Sequence, residues 1–281
     1  MRQIDAAAIK SYATRRFRSE YDYALFEYFR SAKVISFLEQ AGVKLGGRLL
    51  DAGCGGGGMP LSFAEETEEV VAIDLAPRFY DAGQRLAAER GVRNLYFARA
   101  DGQALPFRDA SFDMVLSHAV IEHVADAQRY LVELARVVKP GGCVYLSTAP
   151  YLSFAGAHLP RLKVPIPLHL LLGRRVSFAT FSWLARHLPW TLQEPEHENS
   201  FIKAAREGHT KSDDLLEKVQ VPRLRDQIRG AQLTIVKEML VLTGTFRRAP
   251  APVGRWLLRT PIVQDIVIGG MEYVLRRRQE G

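Results

Sequence analysis

At 281 residues, with 47% hydrophobic and 25% charged residues, the chain is ample for one large α/β domain and has the make-up of a soluble globular protein. Its formal charge of +7 admits nucleic acid, a membrane surface or an anionic substrate as partner. No run of about 18 apolar residues is present, so no membrane span is expected.

The first element in chain order is helical. Tyr21, Leu25, Phe26, Phe29, Val34, Phe37 and Leu38 recur near helical spacing within residues 6–45. Tyr12, Arg15, Arg16, Tyr21 and Tyr23 fit a basic, solvated helix face. Strands and helices then alternate: strand 48–52, helix 58–67, strand 69–74, helix 77–90, strand 94–99, strand 112–117, helix 125–138, strand 142–148. That order predicts a parallel sheet with helices on both faces. Gly91 and Pro140-Gly141 are placed as helix stops. A helix near 212–230 and strands at 233–240 and 271–275 complete the series.

Residues 151–210 differ in character and read as an insertion after the fifth strand. Pro160, Pro165, Pro167, Trp183, Pro189, Trp190 and Pro195 punctuate it. From Leu134 through Gln193 there is no Asp or Glu, while His158, Arg161, Lys163, His169, Arg174, Arg175, Arg186 and His187 are present. Basic residues interleaved with Leu and Trp suit a lid over a greasy substrate or a peripheral membrane contact. Cys54 and Cys143 fit small buried thiols of a reduced, cytoplasmic protein. The N-terminal residues show no apolar signal core.

The chemistry concentrates at Leu49-Leu50-Asp51-Ala52-Gly53-Cys54-Gly55-Gly56-Gly57-Gly58. A strand ends on a carboxylate, a glycine turn follows, and a second strand ends on Asp74. Gly53-x-Gly55-x-x-Gly58 with an acid about 20 residues on also fits a dinucleotide site. There the turn would cradle an anionic pyrophosphate, which Asp51 would repel. S-adenosylmethionine (SAM) carries a sulfonium and an ammonium, which a carboxylate attracts.

Asp51-x-Gly53-x-Gly55-x-Gly57, Asp74, Ala100-Asp101-Gly102, Ser111-Phe112-Asp113-Met114-Val115-Leu116-Ser117 and Val137-Val138-Lys139-Pro140-Gly141-Gly142 stand in order over roughly residues 30–150. Together they resemble the class I SAM-dependent methyltransferases, most nearly the broad type 11 group. The resemblance implies a Rossmann-like, seven-stranded, mostly parallel sheet with an antiparallel last strand and helices on both faces. It implies one domain over 1–281: an N-terminal helical cover (1–45), a SAM-binding core (46–150), an insertion or substrate lid (151–210) and a C-terminal helix with the last two strands (211–281). It further implies that Asp51, Gly53, Gly55, Gly57, Asp74, Leu75, Asp101, Gly102 and Ser117 bind SAM, Asp74 through the ribose and Asp101 through the adenine.

Ser117-His118-Ala119-Val120-Ile121-Glu122-His123-Val124 occupies the region where the methyl group emerges. His118 and Glu122 would share a face on a helical turn, and His118, Glu122 and His123 are the candidate catalytic residues. The octet resembles the acid/His metal motif of the O-methyltransferases of ubiquinone biosynthesis and of small RNA. Ala119 replaces one acidic ligand, so no metal is expected. No acid- or Asn-Pro-Pro-aromatic motif of nucleic-acid amine methyltransferases follows the fourth strand, so no nucleic-acid partner is expected. The reading favours O-methylation of a small-molecule, glycan or lipid-linked acceptor. N- or C-methylation, a silent SAM-binding subunit and a nicotinamide oxidoreductase stand as alternatives.

Overall fold

A computed structural model describes residues 4–16, 18–76, 80–153, 156–160, 162–164, 166–193, 200–208, 217–244, 246–261 and 263–278. Its elements are α1 (Ala6–Arg15), α2 (Glu20–Gln40), β1 (Arg48–Ala52), α3 (Gly58–Ala64), β2 (Glu69–Asp74), α4 (Tyr80–Glu89), β3 (Leu95–Arg99), β4 (Phe112–His118), α5 (Ala127–Val137), β5 (Val138–Thr148), α6 (Leu168–Leu171), α7 (Gly173–His187), α8 (Ser200–Glu207), α9 (Val221–Gly230), β6 (Leu233–Leu242), α10 (Ala251–Arg259), α11 (Val263–Val267) and β7 (Ile268–Arg277). The seven strands form one sheet in the order β3-β2-β1-β4-β5-β7-β6. The first five are mutually parallel, and β7 runs antiparallel between β5 and β6.

Strand alternation divides the core. Leu50, Val71, Val115, Val144 and Tyr273 face α5 and α9, while Leu49, Val70, Met114, Leu116 and Tyr145 face α2 and α3. Both faces are covered, which explains why these strands read as near-continuous apolar runs.

The expected boundaries shift in four places. The N-terminal helical stretch is two helices, with Ser19 accepting from the Asp22 N–H as cap of the second. Helix α5 stops at Val137, and Lys139-Pro140-Gly141 belongs to an irregular start of β5, with Gly141 at φ +74°. Helix α9 begins at Val221, with Pro222 in its first turn, and not near 212. The 3-10 turn Ile121–His123, entered through Ala119 at φ +56°, replaces the helical turn expected there. Arg161, Pro165, Pro195 and positions 212–216 lie outside the described residues. Among the described residues no helix is long and apolar enough to cross a membrane.

Cover helix α2 lies directly on α3, and a glycine permits it. A Cβ on Gly58 would sit 1.8 Å from the Ala24 carbonyl oxygen and 2.9 Å from the Tyr28 nitrogen. Both are backbone atoms, so relief requires moving the whole helix. Gly58→Ala is therefore expected to cost about 2 kcal/mol by overpacking, a melting-temperature drop of roughly 5 °C. A thermal melt checks this; an unchanged midpoint would mean that α2 is not seated there.

Candidate functional site

The carboxyl ends of β1, β2 and β4 meet at the glycine turn. Gly53 and Cys54 both donate their N–H to the Ile73 carbonyl, at 2.8 and 2.9 Å, tying the turn to β2. Gly53, Gly55 and Gly57 have φ of +102°, +50° and +76°, a region glycine enters without strain. A Cβ on Gly53 would lie 2.2 Å from Val120. At Gly102 the limit is packing and not φ, because a Cβ would lie 2.5 Å from the Tyr130 ring.

Asp74 organises this turn. Its Oδ2 accepts the Gly55 N–H at 3.0 Å and its Oδ1 accepts the Ala76 N–H at 2.9 Å. Leu75 beside it is a 62% exposed apolar side chain. Asp101 is exposed and caps its own turn, accepting the Gln103 N–H at 2.9 Å. Ser117 is a correction to the sequence reading. Its side chain is fully buried, its hydroxyl lies 2.8 Å from the Tyr130 hydroxyl, and Tyr130 donates to the Ala52 carbonyl at 3.0 Å. Alternation along β4 turns Ser117 into the core and His118 to the opposite face; Ser117 supports the turn from beneath.

The largest addition comes from α2. Ala24, Glu27, Ser31, Ile35 and Leu38 follow one another at helical spacing and are all buried. Glu27 thereby comes to lie over the glycine turn, with its Oε2 3.3 Å from where a Gly56 Cβ would be. That Oε2 is buried without a hydrogen-bond partner among the described residues, while Oε1 lies 3.5 Å from Arg30 Nη2. Burial pushes the Glu27 carboxyl up to about 7, against the opposing pull of Arg30. Asp51, also buried, is pushed well above the usual carboxylate range, first by burial and then by Glu27 and Asp74. Burial, then the same three acids, raises the Cys54 thiol.

Three carboxylates around one glycine turn repel one another and invite a cation. This tests SAM against the residues present. The orphaned Glu27 oxygen and the acid cluster suit its cationic groups, and the glycine cradle allows close backbone approach. A pyrophosphate would meet like charge. Because Glu27 titrates near 7 without ligand, a cationic ligand must displace its proton at low pH. Affinity for SAM is therefore expected to rise about tenfold from pH 6 to pH 8, Asp51 acting in the same direction. Calorimetry in buffers of different ionisation heat would register the released proton; affinity that is flat or falls over this range would contradict the assignment.

The second half of the site is on β4, β5 and β7. Register aligns His118 with Ser147, and Ser147 with Glu272. Tyr145, two residues before Ser147, shares their face. His118 Nδ1 lies 3.3 Å from the Tyr145 hydroxyl, with the rings parallel at 6.1 Å. The Tyr145 hydroxyl donates to Glu272 Oε2 at 3.2 Å. Burial, reinforced by Glu272, raises the Tyr145 phenol well above its usual value, so it keeps its proton. Its oxygen then accepts from Nδ1–H of His118, which leaves Nε2 as the bare nitrogen. Burial, aided by the Arg30 charge, holds His118 well below the usual histidine range.

Glu122 and His118 do not share a helical face, because the left-handed Ala119 breaks the chain direction between them. Glu122 Oε2 instead accepts from the Thr148 hydroxyl at 2.8 Å. His123 meets His158 of the insertion, with ring centroids 5.3 Å apart. Ligand atoms of Glu122, His123 and His158 lie within 4.8 Å of one another. This is the three-donor count of a catalytic zinc site and falls short of the oxygen-rich shell of Mg²⁺ or Ca²⁺. The juxtaposition joins the insertion to the end of β4.

Glu27, Arg30, Tyr145 and Glu272 are absent from the sequence-based candidates. A charged residue inside the buried stripe of α2 was the available signal for Glu27. Nothing local marked Tyr145 and Glu272.

Comparison with known proteins bears on this geometry. A family model described as a methyltransferase domain matches residues 50–146. The uncharacterized methyltransferase YcgJ of Bacillus subtilis is 30% identical over 151 residues, covering 50% of this chain. The match spans 60% of that relative, less than two thirds of its length. An uncharacterized methyltransferase of Mycobacterium leprae is 29% identical over 231 residues, covering 82% of this chain and 72% of the relative. The crystal structure of a SAM-dependent methyltransferase from Methanosarcina mazei shares the fold, with a TM-score of 0.54 at 19% identity over 86% of this chain and 98% of that one.

Proposed function

We propose that the chain is a class I SAM-dependent methyltransferase, a reading supported by the methyltransferase-domain match over residues 50–146 and by the shared fold, and that it methylates an oxygen of a small-molecule, glycan or lipid-linked acceptor. The observation that carries the oxygen assignment is the His118–Tyr145–Glu272 chain beside the acid-lined glycine turn. SAM, when bound, supplies a methyl group made electrophilic by its sulfonium. The residues of this chain do the rest. Asp74 and Asp101 hold the nucleoside, and Glu27 and Asp51 hold the cationic end. Tyr145 and Glu272 fix the tautomer of His118. Its Nε2 takes the proton from the acceptor hydroxyl as the oxygen attacks. Positioning the acceptor against the methyl group supplies much of the remaining acceleration.

Glu122, His123 and His158 belong to the acceptor side in this reading, because they join the insertion to β4. The test is incubation with methyl-labelled SAM and separate pools of glycans, lipid extracts, amines and RNA, followed by S-adenosylhomocysteine release and label transfer. Label in an alkali-stable ether of the glycan or lipid pools is expected. Label confined to amines or RNA would overturn the oxygen assignment. SAM binding without turnover in any pool would make the chain a SAM-binding subunit instead.

A further inference from the structure

The outward face of α7 goes beyond methyl transfer and does not rest on it. The inner face of this helix is buried through Ser177, Phe181 and Ala185, and Phe181 and Ala185 pack on the insertion's own small core. An ordinary surface helix would be polar on the other side. Here Leu172, Val176, Ala179 and Trp183 are exposed at i, i+4, i+7 and i+11, one stripe along the helix. Trp183 is 52% exposed, and Trp190, just beyond the helix end, 64%. Arg175 and Arg186 are exposed beside the stripe. Arg174 turns inward, donating from Nη2 to the Tyr151 and Gly156 carbonyls at 3.0 and 2.8 Å.

Burial fails to account for the outer stripe, and so does solubility. A partner must be apolar where the stripe is and anionic where the arginines are. No acidic residue occurs from Leu134 through Gln193, so nothing in this region opposes a negative surface. Tryptophan and arginine flanking aliphatic side chains on one helix face match the interfacial layer of a bilayer. At 15 residues, α7 is about 22 Å long and lies along a membrane plane without crossing it. We propose that the outer face of α7, extended by Trp190, docks on anionic phospholipid membranes. Arg174 and the His123–His158 contact tie this face to the exit of β5 and to the acceptor side of the site.

The test is co-sedimentation of the full chain with vesicles of phosphatidylcholine alone or with 30% phosphatidylserine, without SAM or acceptor. Binding is expected with the anionic vesicles and lost at high salt. Arg175→Gln with Arg186→Gln is expected to weaken it roughly 10- to 30-fold, and Val176→Ser with Trp183→Ser at least about tenfold. Retained SAM binding reports that each variant is folded. In a Trp256→Phe background, fluorescence of Trp183 and Trp190 should be quenched by brominated lipids, a readout that needs no α7 substitution. No binding to anionic vesicles, binding indifferent to both double substitutions, or a dimer in sedimentation velocity that the Val176 and Trp183 changes dissociate would each overturn the proposal. Because none of these readouts involves methylation, their failure leaves the methyl-transfer reading standing, and the reverse holds.

Discussion

Replacing His118 with alanine is expected to lower kcat by two to four orders of magnitude while the SAM dissociation constant stays within about twofold. The range is that of a positioned general base. Binding is expected to be spared because the groups proposed to hold the cofactor lie on α2 and at the ends of β1, β2 and β3, whereas the His118 ring bonds to Tyr145 among the described residues. The pH profile carries further information. His118 is held well below its usual range by burial and by Arg30, so it stays neutral throughout the physiological window. At saturating SAM, where the Glu27 titration acts on KM alone, kcat should therefore show no acidic limb near pH 6.5, the ordinary histidine value. Tyr145→Phe removes the acceptor for Nδ1–H and frees the ring to take the other tautomer. It should lower kcat by about tenfold or more with little change in KM for SAM. His118→Ala within about threefold of wild type would dismiss the base, and a limb at pH 6.5 would dismiss the desolvated environment.

The same residues show what a sequence discloses and what it does not. Strands β1 and β2 were readable to the residue, because a buried parallel strand leaves an unbroken apolar run and each carries an acid at or next to its end beside a turn. That Asp51, Asp74 and the glycines meet at one turn followed, since their placement depends on local spacing. Ser117 was misassigned because its role depends on which way the strand alternates, and a buried strand has apolar residues on both faces. The helical pairing of His118 with Glu122 failed at one left-handed residue, Ala119, which alanine does not advertise. Tyr145 and Glu272 lie 127 positions apart; their contact depends on β7 returning antiparallel beside β5, which no local pattern encodes. Glu27 lay within reach: an acid on the buried stripe of a helix demands a reason, and the glycine turn beneath it is that reason. The meeting of His123 with His158 depends on the path of the insertion, and its proline-rich sequence leaves that path open.

Asp74→Ala should weaken SAM and S-adenosylhomocysteine equally, by roughly two to four orders of magnitude. A carboxylate has about four acceptor sites. The Gly55 and Ala76 N–H groups engage Asp74 from the turn, and the proposed reading adds both ribose hydroxyls as donors. Two hydrogen bonds to a charged group are together worth about 3–5 kcal/mol, which converts to that range. Equality between the ligands is the decisive feature, because both contain the ribose. Glu27→Gln and Asp51→Asn act on the cationic end, and SAM carries one more positive charge than S-adenosylhomocysteine, so these changes should penalise SAM more. Asp74→Asn keeps the shape of the turn but sets an amide NH₂ against one of the two backbone donors, so it should fall between wild type and Asp74→Ala. Asp101→Asn should cost about tenfold or less, since that side chain is exposed and already caps its own turn. Calorimetry with both ligands on the five variants separates the roles. A larger loss for SAM than for S-adenosylhomocysteine in Asp74→Ala would move Asp74 from the ribose to the cationic end of the ligand.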